Sequence, residues 1–151
     1  MAEERQGLPV PHEGMTPEEL GELLLQYVRA GIQPLEQSNL LQTARGLDFS
    51  GANLDGRDLS GADLWKANLR EASFREANLE GANLDNAKLD GANLRGANLQ
   101  GASLQNVNLK GANLSEANLE GACFNGALLD NANLSKANLI DAQLTTSIHG
   151  T

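Results

Sequence analysis

A single cysteine, Cys123, stands in a chain of 151 residues, which excludes an intrachain disulfide framework and a cysteine-based zinc site. The two histidines, His12 and His149, lie in opposite tails, so no set of Cys, His and carboxylate falls at metal-ligand spacing. No proline follows Pro34, which leaves a backbone donor at every later position for a hydrogen-bonded ladder. Aromatic residues are also scarce: three Phe, one Trp and one Tyr. Most of the apolar content is Ala and Leu, so the core has to be narrow and regular.

Positive charge is short as well, with eleven Lys and Arg against twenty Asp and Glu and a net charge of −9. That balance argues against an acidic partner and against direct binding to nucleic acid or anionic membrane, which calls for clustered bases. No stretch approaches the roughly 18 apolar residues of a membrane span. Residues 1–14 carry Glu3, Glu4 and Glu13 and lack an apolar run of signal-peptide length. Together with the lone cysteine, these features predict a soluble, cytoplasmic protein.

What is present is order. Residues 1–14 read as a disordered tail. Residues 15–46 read as a helical N-terminal cap. Thr16 is an N-cap, Pro17 takes the first helical position, and Glu19, three residues after Thr16, completes a capping box. Leu20, Leu23, Leu24, Tyr27 and Val28 follow at three- and four-residue spacing and give the helix one apolar face. A second, shorter helix is expected from about Pro34 to Thr43.

From residue 47 to 146 a five-residue word takes over. Its central apolar residue, i, stands at Phe49, Leu54, Leu59, Leu64, Leu69, Phe74, Leu79, Leu84, Leu89, Leu94, Leu99, Leu104, Leu109, Leu114, Leu119, Phe124, Leu129, Leu134, Leu139 and Leu144. That is twenty repeats without an insertion, with Ala at i−2 in seventeen, Asn or Asp at i−1 in fourteen and Gly at i+2 in ten. Residues 147–151 form a C-terminal tail.

A period of five suits neither a helix nor a straight strand. On a helix each repeat rotates the leucine by about 140°, and on a strand successive leucines point to opposite faces. The residues at i−2 and i do share a side, so both stay inside if the chain turns between repeats. Gly at i+2 tolerates positive φ, and Asn or Asp at i−1 bonds to nearby backbone. A right-angle turn per repeat closes a square coil every four repeats and gives about five coils. Aligned with a period of twenty, Gly61, Gly81, Gly101 and Gly121 share one corner while Lys66, Asn86 and Asn106 share the next, which favours four sides over three.

The A-(D/N)-L-x-x word resembles the pentapeptide-repeat family, and the resemblance covers residues 47–146. It implies an all-β solenoid, a right-handed quadrilateral β-helix. The segment Leu40-Leu41-Gln42-Thr43 leading into Leu47-Asp48-Phe49-Ser50-Gly51 is similar to the entry segment of many cyanobacterial members, although the cysteine pair those members often carry is missing. The resemblance suggests a cyanobacterial or other bacterial source.

No residue constellation points to catalysis, a cofactor or a metal. Gly91-x4-Gly96 and Gly121-x4-Gly126 imitate the start of a phosphate loop but lack the Lys-Ser/Thr that follows one. Cys123 occupies an i−1 site on the wall surface and reads as a small residue in place of Asn. Arg57 replaces an inward Ala in the first coil, so its head is expected to escape toward the open N-terminal end. Trp65 at i+1 is expected to face outward, where it helps seat the helix or anchors a partner, and with Arg70, Asp90, Lys110 and Asp130 it makes up the candidate surface contacts. Twenty-residue stacking puts Arg70, Asp90, Lys110 and Asp130 in one column of alternating sign.

These features predict a non-enzymatic protein–protein interaction scaffold with an unidentified protein partner. The family resemblance implies two alternatives: DNA mimicry directed at DNA gyrase, or developmental regulation as in heterocyst-linked members. The C-terminal coil has no helix to seal Leu129, Leu134, Leu139 and Leu144, which predicts a weak end-to-end homodimer through that coil.

Overall fold

The computed structural model describes residues 44–145 together with Pro9, His12, Gly14, Met15, Thr16, Glu19, Glu22, Leu23 and Gln26. Residues 44–145 form a four-sided solenoid with twenty residues per turn. Parallel bridges join each i−1 residue to the one twenty positions later, from Asp48 with Asn68 to Cys123 with Gln143. The four walls carry, in order, Phe49, Leu54, Leu59 and Leu64 and the residues stacked on them at intervals of twenty. Only about three residues are extended between corners, so each wall contributes isolated bridges instead of continuous strands.

Every corner is made the same way. The i+2 residue has positive φ at each repeat from Gly46 to Asp141, and nine of these residues are not glycine, for example Lys66, Glu71 and Asn86. The amide of the next i−2 residue then donates to the carbonyl of i, as from Ala92 to Leu89 at 3.0 Å. Where i−1 is Asn or Asp, its side chain closes the same turn by accepting the i+1 amide, as Asn93 does from Arg95 at 3.1 Å.

Between coils the bonding is polar in direction. On each wall the earlier coil donates twice, from i and i+2, and accepts once, at i−2. Phe49 N donates to Asn68 O at 2.7 Å, Gly51 N to Arg70 O at 2.8 Å, and Asn68 N to Leu47 O at 2.8 Å. Inside the tube, Ala at i−2 and Leu or Phe at i are fully buried through the middle coils, from Ala67 to Phe124. Alanine suits the narrow space at i−2, although Val107 is accommodated there fully buried.

The two ends differ from the middle coils. At the C-terminal end the stack is not buried throughout: Leu129 and Leu134 are half-buried, and Leu139 and Leu144 are 36% and 45% exposed. Among the described residues no further coil lies over them. At the N-terminal end the ladder begins before Leu47. Ala44 is buried and the Gly46 amide bonds to Trp65 O at 2.8 Å, so Ala44, Arg45 and Gly46 belong to the solenoid and not to the cap.

Of the expected cap residues, Leu23 is described: it lies in a helix, 2% exposed, in the same apolar cluster as Phe49, Leu54 and Leu59. The capping box is formed, with Thr16 N donating to Glu19 Oε2 at 2.8 Å and Glu19 N to Thr16 Oγ1 at 3.2 Å. Leu20, Leu24, Tyr27 and Val28, the helix expected at 34–43, nearly all of the 1–14 tail, and the tail at 147–151 lie outside the described residues.

Candidate interaction surfaces

Among the described residues no group of His, Cys, Asp and Glu could hold a metal. No helix there is long and apolar enough to cross a membrane. The outward positions therefore carry the chemistry, and some of them bond to one another. On the third wall the i−1 column runs Asp58, Asn78, Asn98, Asn118, Asn138. Each Asn Nδ2 donates to the side-chain oxygen one coil earlier, at 3.3, 3.3, 3.2 and 3.2 Å. Each oxygen also accepts a turn amide, as Asn98 does from Gln100 at 3.2 Å. The column was readable by aligning i−1 residues at intervals of twenty, although the five-residue word alone hides it.

The first corner column contains the four charged residues singled out from the sequence, joined in pairs. Arg70 meets Asp90 at 3.0 Å and Lys110 meets Asp130 at 4.0 Å. A diagonal pair, Arg95 with Glu116 at 3.1 Å, spans 21 residues and so escapes a strict column reading. All three pairs are about half-exposed, so each contributes on the order of 0–1 kcal/mol.

At the end of the first full coil, Trp65 is half-buried rather than fully outward. Lys66 Nζ lies 4.4 Å and the Arg45 guanidinium 5.3 Å from the centre of its ring, within cation–π range. Arg45 is also paired with Asp63. The indole is held by solenoid residues, and among the described residues nothing shows it seating the helix.

Arg57 is buried, at 6% exposed. Burial lowers its pKa, yet no buried side-chain nitrogen or oxygen among the described residues lacks a hydrogen-bond partner. Cys123 is a free, half-buried cysteine in the i−1 column of the fourth wall, between Ser103 and Gln143.

The C-terminal edge contrasts with these self-satisfied walls. Leu128 is 46% and Ile140 62% exposed beside Leu139 and Leu144. Among the described residues the amides of Leu129, Asn131, Leu134, Lys136, Leu139 and Asp141 have no backbone acceptor. The carbonyls of Ala127, Ala132 and Ala137 have no backbone donor. Sequence reasoning identified the i-position leucines there but missed Leu128 and Ile140. Leu128 is the one apolar aliphatic residue at i−1, which was the available signal.

The architecture agrees with comparisons to known proteins. Residues 48–86, 77–115 and 112–148 match the Pentapeptide repeats family, in eight copies. The chain belongs to the pentapeptide repeat family. It is similar to a pentapeptide repeat protein from the thylakoid lumen of Arabidopsis thaliana, at 32% identity and a TM-score of 0.56 over 74% of this chain and 76% of that one. It is also similar to a pentapeptide repeat protein from the cyanobacterium Nostoc, at 37% identity and a TM-score of 0.51 over 65% of this chain and 84% of that one. No curated protein sequence matches the chain.

Proposed function

We propose that this chain is a non-enzymatic scaffold of the pentapeptide-repeat type that binds a protein partner, with the C-terminal edge as its association surface. One observation carries the reading: a rod whose middle coils pair their backbone groups with one another ends in a rim that is apolar and rich in amides without a backbone acceptor among the described residues. Such a rim leaves apolar surface in water and backbone groups unbonded, and a partner relieves both. The proposed division is a helical segment at one end, a right-handed quadrilateral β-helix in the middle and the open rim at the other end. A reducing, cytoplasmic setting belongs to this reading, supported by the free Cys123.

Two copies of the chain are enough to test it. Sedimentation velocity over a hundredfold range of concentration is expected to show weak association. The association is expected to be lost when Leu139→Lys and Leu144→Lys place charges on the rim. A strictly monomeric profile at the highest concentration refutes the rim as a self-association surface. Against DNA mimicry stand the Arg70, Arg95 and Lys110 ion pairs, which interrupt the acidic surface along the middle coils. Inhibition of gyrase supercoiling at stoichiometric protein would reverse that ranking, and a deletion strain with normal differentiation removes the developmental reading.

A further inference from the structure

Asparagine followed by glycine is the dipeptide in which a chain most readily attacks itself. With no Cβ on the second residue, the backbone amide nitrogen reaches the side-chain carbonyl carbon and closes an imide ring. The chain has sixteen asparagines, and fifteen of them precede Leu, Ala or Val. The exception is Asn125-Gly126, at the corner that leads into the C-terminal coil. Glycine is needed at this corner: Gly126 has a φ of 75°, and a Cβ on it would collide with the side-chain oxygen of Asn106. The asparagine has its own task. Its Oδ1 accepts from Thr145 N at 3.2 Å and from Thr145 Oγ1 at 2.7 Å, so it closes from one coil earlier the turn that an Asn or Asp at i−1 closes elsewhere.

Both reacting groups are therefore held by one residue. The Gly126 amide, whose nitrogen is the nucleophile, donates to Thr145 O at 3.1 Å, and the carbonyl it would attack is the one clamped by Thr145 N and Oγ1. The Asn125 Nδ2, the leaving group, has no hydrogen-bond partner. Thr145 is the last described residue of the solenoid, and the end of a stacked array opens before its middle. Asn125 is half-buried, within reach of solvent base once Thr145 lifts away.

We propose that Asn125 is a deamidation site gated by Thr145, intact while the last seam is closed and converted when that seam opens. The Gly126 nitrogen gives its proton to solvent base and bonds to Asn125 Cγ. The Cγ–Nδ2 bond breaks and the nitrogen leaves as ammonia, taking up a proton. Water then adds to either carbonyl of the resulting succinimide and breaks that carbon's bond to the ring nitrogen, which leaves aspartate or isoaspartate. Water enters, ammonia departs, and nothing is oxidised or reduced.

The two products act differently on the fold. Aspartate preserves the clamp, because Asp85 in the same column already accepts from Ser103 Oγ at 2.6 Å and from Gln105 N at 2.9 Å. Isoaspartate routes the main chain through the side-chain carbon and lengthens it by a methylene. The spacing that lets Asn125 O accept from Asn106 N at 2.8 Å while Gly126 N reaches Thr145 O is then lost. The C-terminal coil is loosened with no route back to asparagine. None of this depends on the rim binding a partner, so its failure leaves that reading standing.

An internal control makes the gate measurable. Gln100→Asn creates a second pair with glycine at positions 100–101, in a middle coil where Gly101 N donates to Glu120 O at 2.9 Å. The full-length Gln100→Asn chain would be held in mildly alkaline buffer and both positions read in the same molecules by peptide mapping with mass spectrometry. In the folded chain position 125 is expected to convert about tenfold faster than position 100 or more, and in urea the two rates should converge. Thr145→Val, which removes the hydroxyl donor, is expected to raise the rate at position 125 severalfold and leave position 100 unchanged. Equal rates at the two positions in the folded chain would overturn the proposal. So would an unchanged rate at position 125 in a Thr145→Val chain with the parent's circular dichroism spectrum. If Thr145→Val does not fold, the comparison of positions 100 and 125 decides alone.

Discussion

Nine left-handed corners without glycine store conformational cost along the rod. A non-glycine residue in that region loses about 1–2 kcal/mol to steric crowding, and glycine recovers part of it while freeing the unfolded chain. Lys136→Gly, at an exposed corner with φ of 59°, is expected to stabilise the fold by about 0.5–1 kcal/mol, read from urea unfolding. Gly101→Ala is expected to cost about 1 kcal/mol, because a Cβ there meets open space and only the backbone objects. Asp58 gives a pH signature. The Ser60 hydroxyl bond, then the Ser60 amide, hold its carboxyl below the ordinary range. Its contribution is therefore complete above about pH 4 and is lost as pH falls through the lowered folded value, where the unfolded chain already holds the proton. The difference in urea midpoint between pH 6 and pH 3 should be smaller in Asp58→Asn than in the parent. The corners were legible in the sequence because Gly and Asn recur with a fixed offset from Leu. Arg57 was legible only as an exception: a single position does not tell whether a long side chain leaves the tube or is satisfied within it.

The third wall is held by its asparagine column as well as by its backbone. Asn98 takes part in two inter-coil amide bonds and one turn bond, whereas Asn93 on the second wall accepts one turn amide, from Arg95. Asn98→Ala should therefore cost about 1–2 kcal/mol more than Asn93→Ala, at roughly 1 kcal/mol per net hydrogen bond lost. Equal losses in urea unfolding would show that the column adds nothing to the backbone seam. The walls themselves were readable, because Ala at i−2 and Leu at i share a side and an odd period forces a turn. The entry to the first coil was not: Ala44, Arg45 and Gly46 carry an alanine where leucine marks every later repeat but three, so the only cue was Gly46 standing five residues before Gly51.

Along the whole rod, stability accumulates from neighbouring coils, and the coil with one neighbour is the weakest. Amide hydrogen exchange should be slowest around Leu84 to Leu104, where both seams are complete, and fastest at Leu134, Lys136, Leu139 and Asp141, whose amides have no backbone acceptor among the described residues. Uniform protection from end to end would contradict an open C-terminal rim. The sequence suggested an unsealed stack at this end, because no helical pattern lies beside Leu129 to Leu144 as one does before the first coil, yet it said nothing about donors and acceptors, because those depend on which coil gives twice and which gives once. The same bonding pattern sets how the molecule tolerates changes in length. An insertion of twenty residues between middle coils adds one storey and returns both ends to their original facing. An insertion of five adds a single wall and swings one end by a quarter turn relative to the other. Reach and heading are thus two separate dials, one turned by whole coils and the other by the remainder.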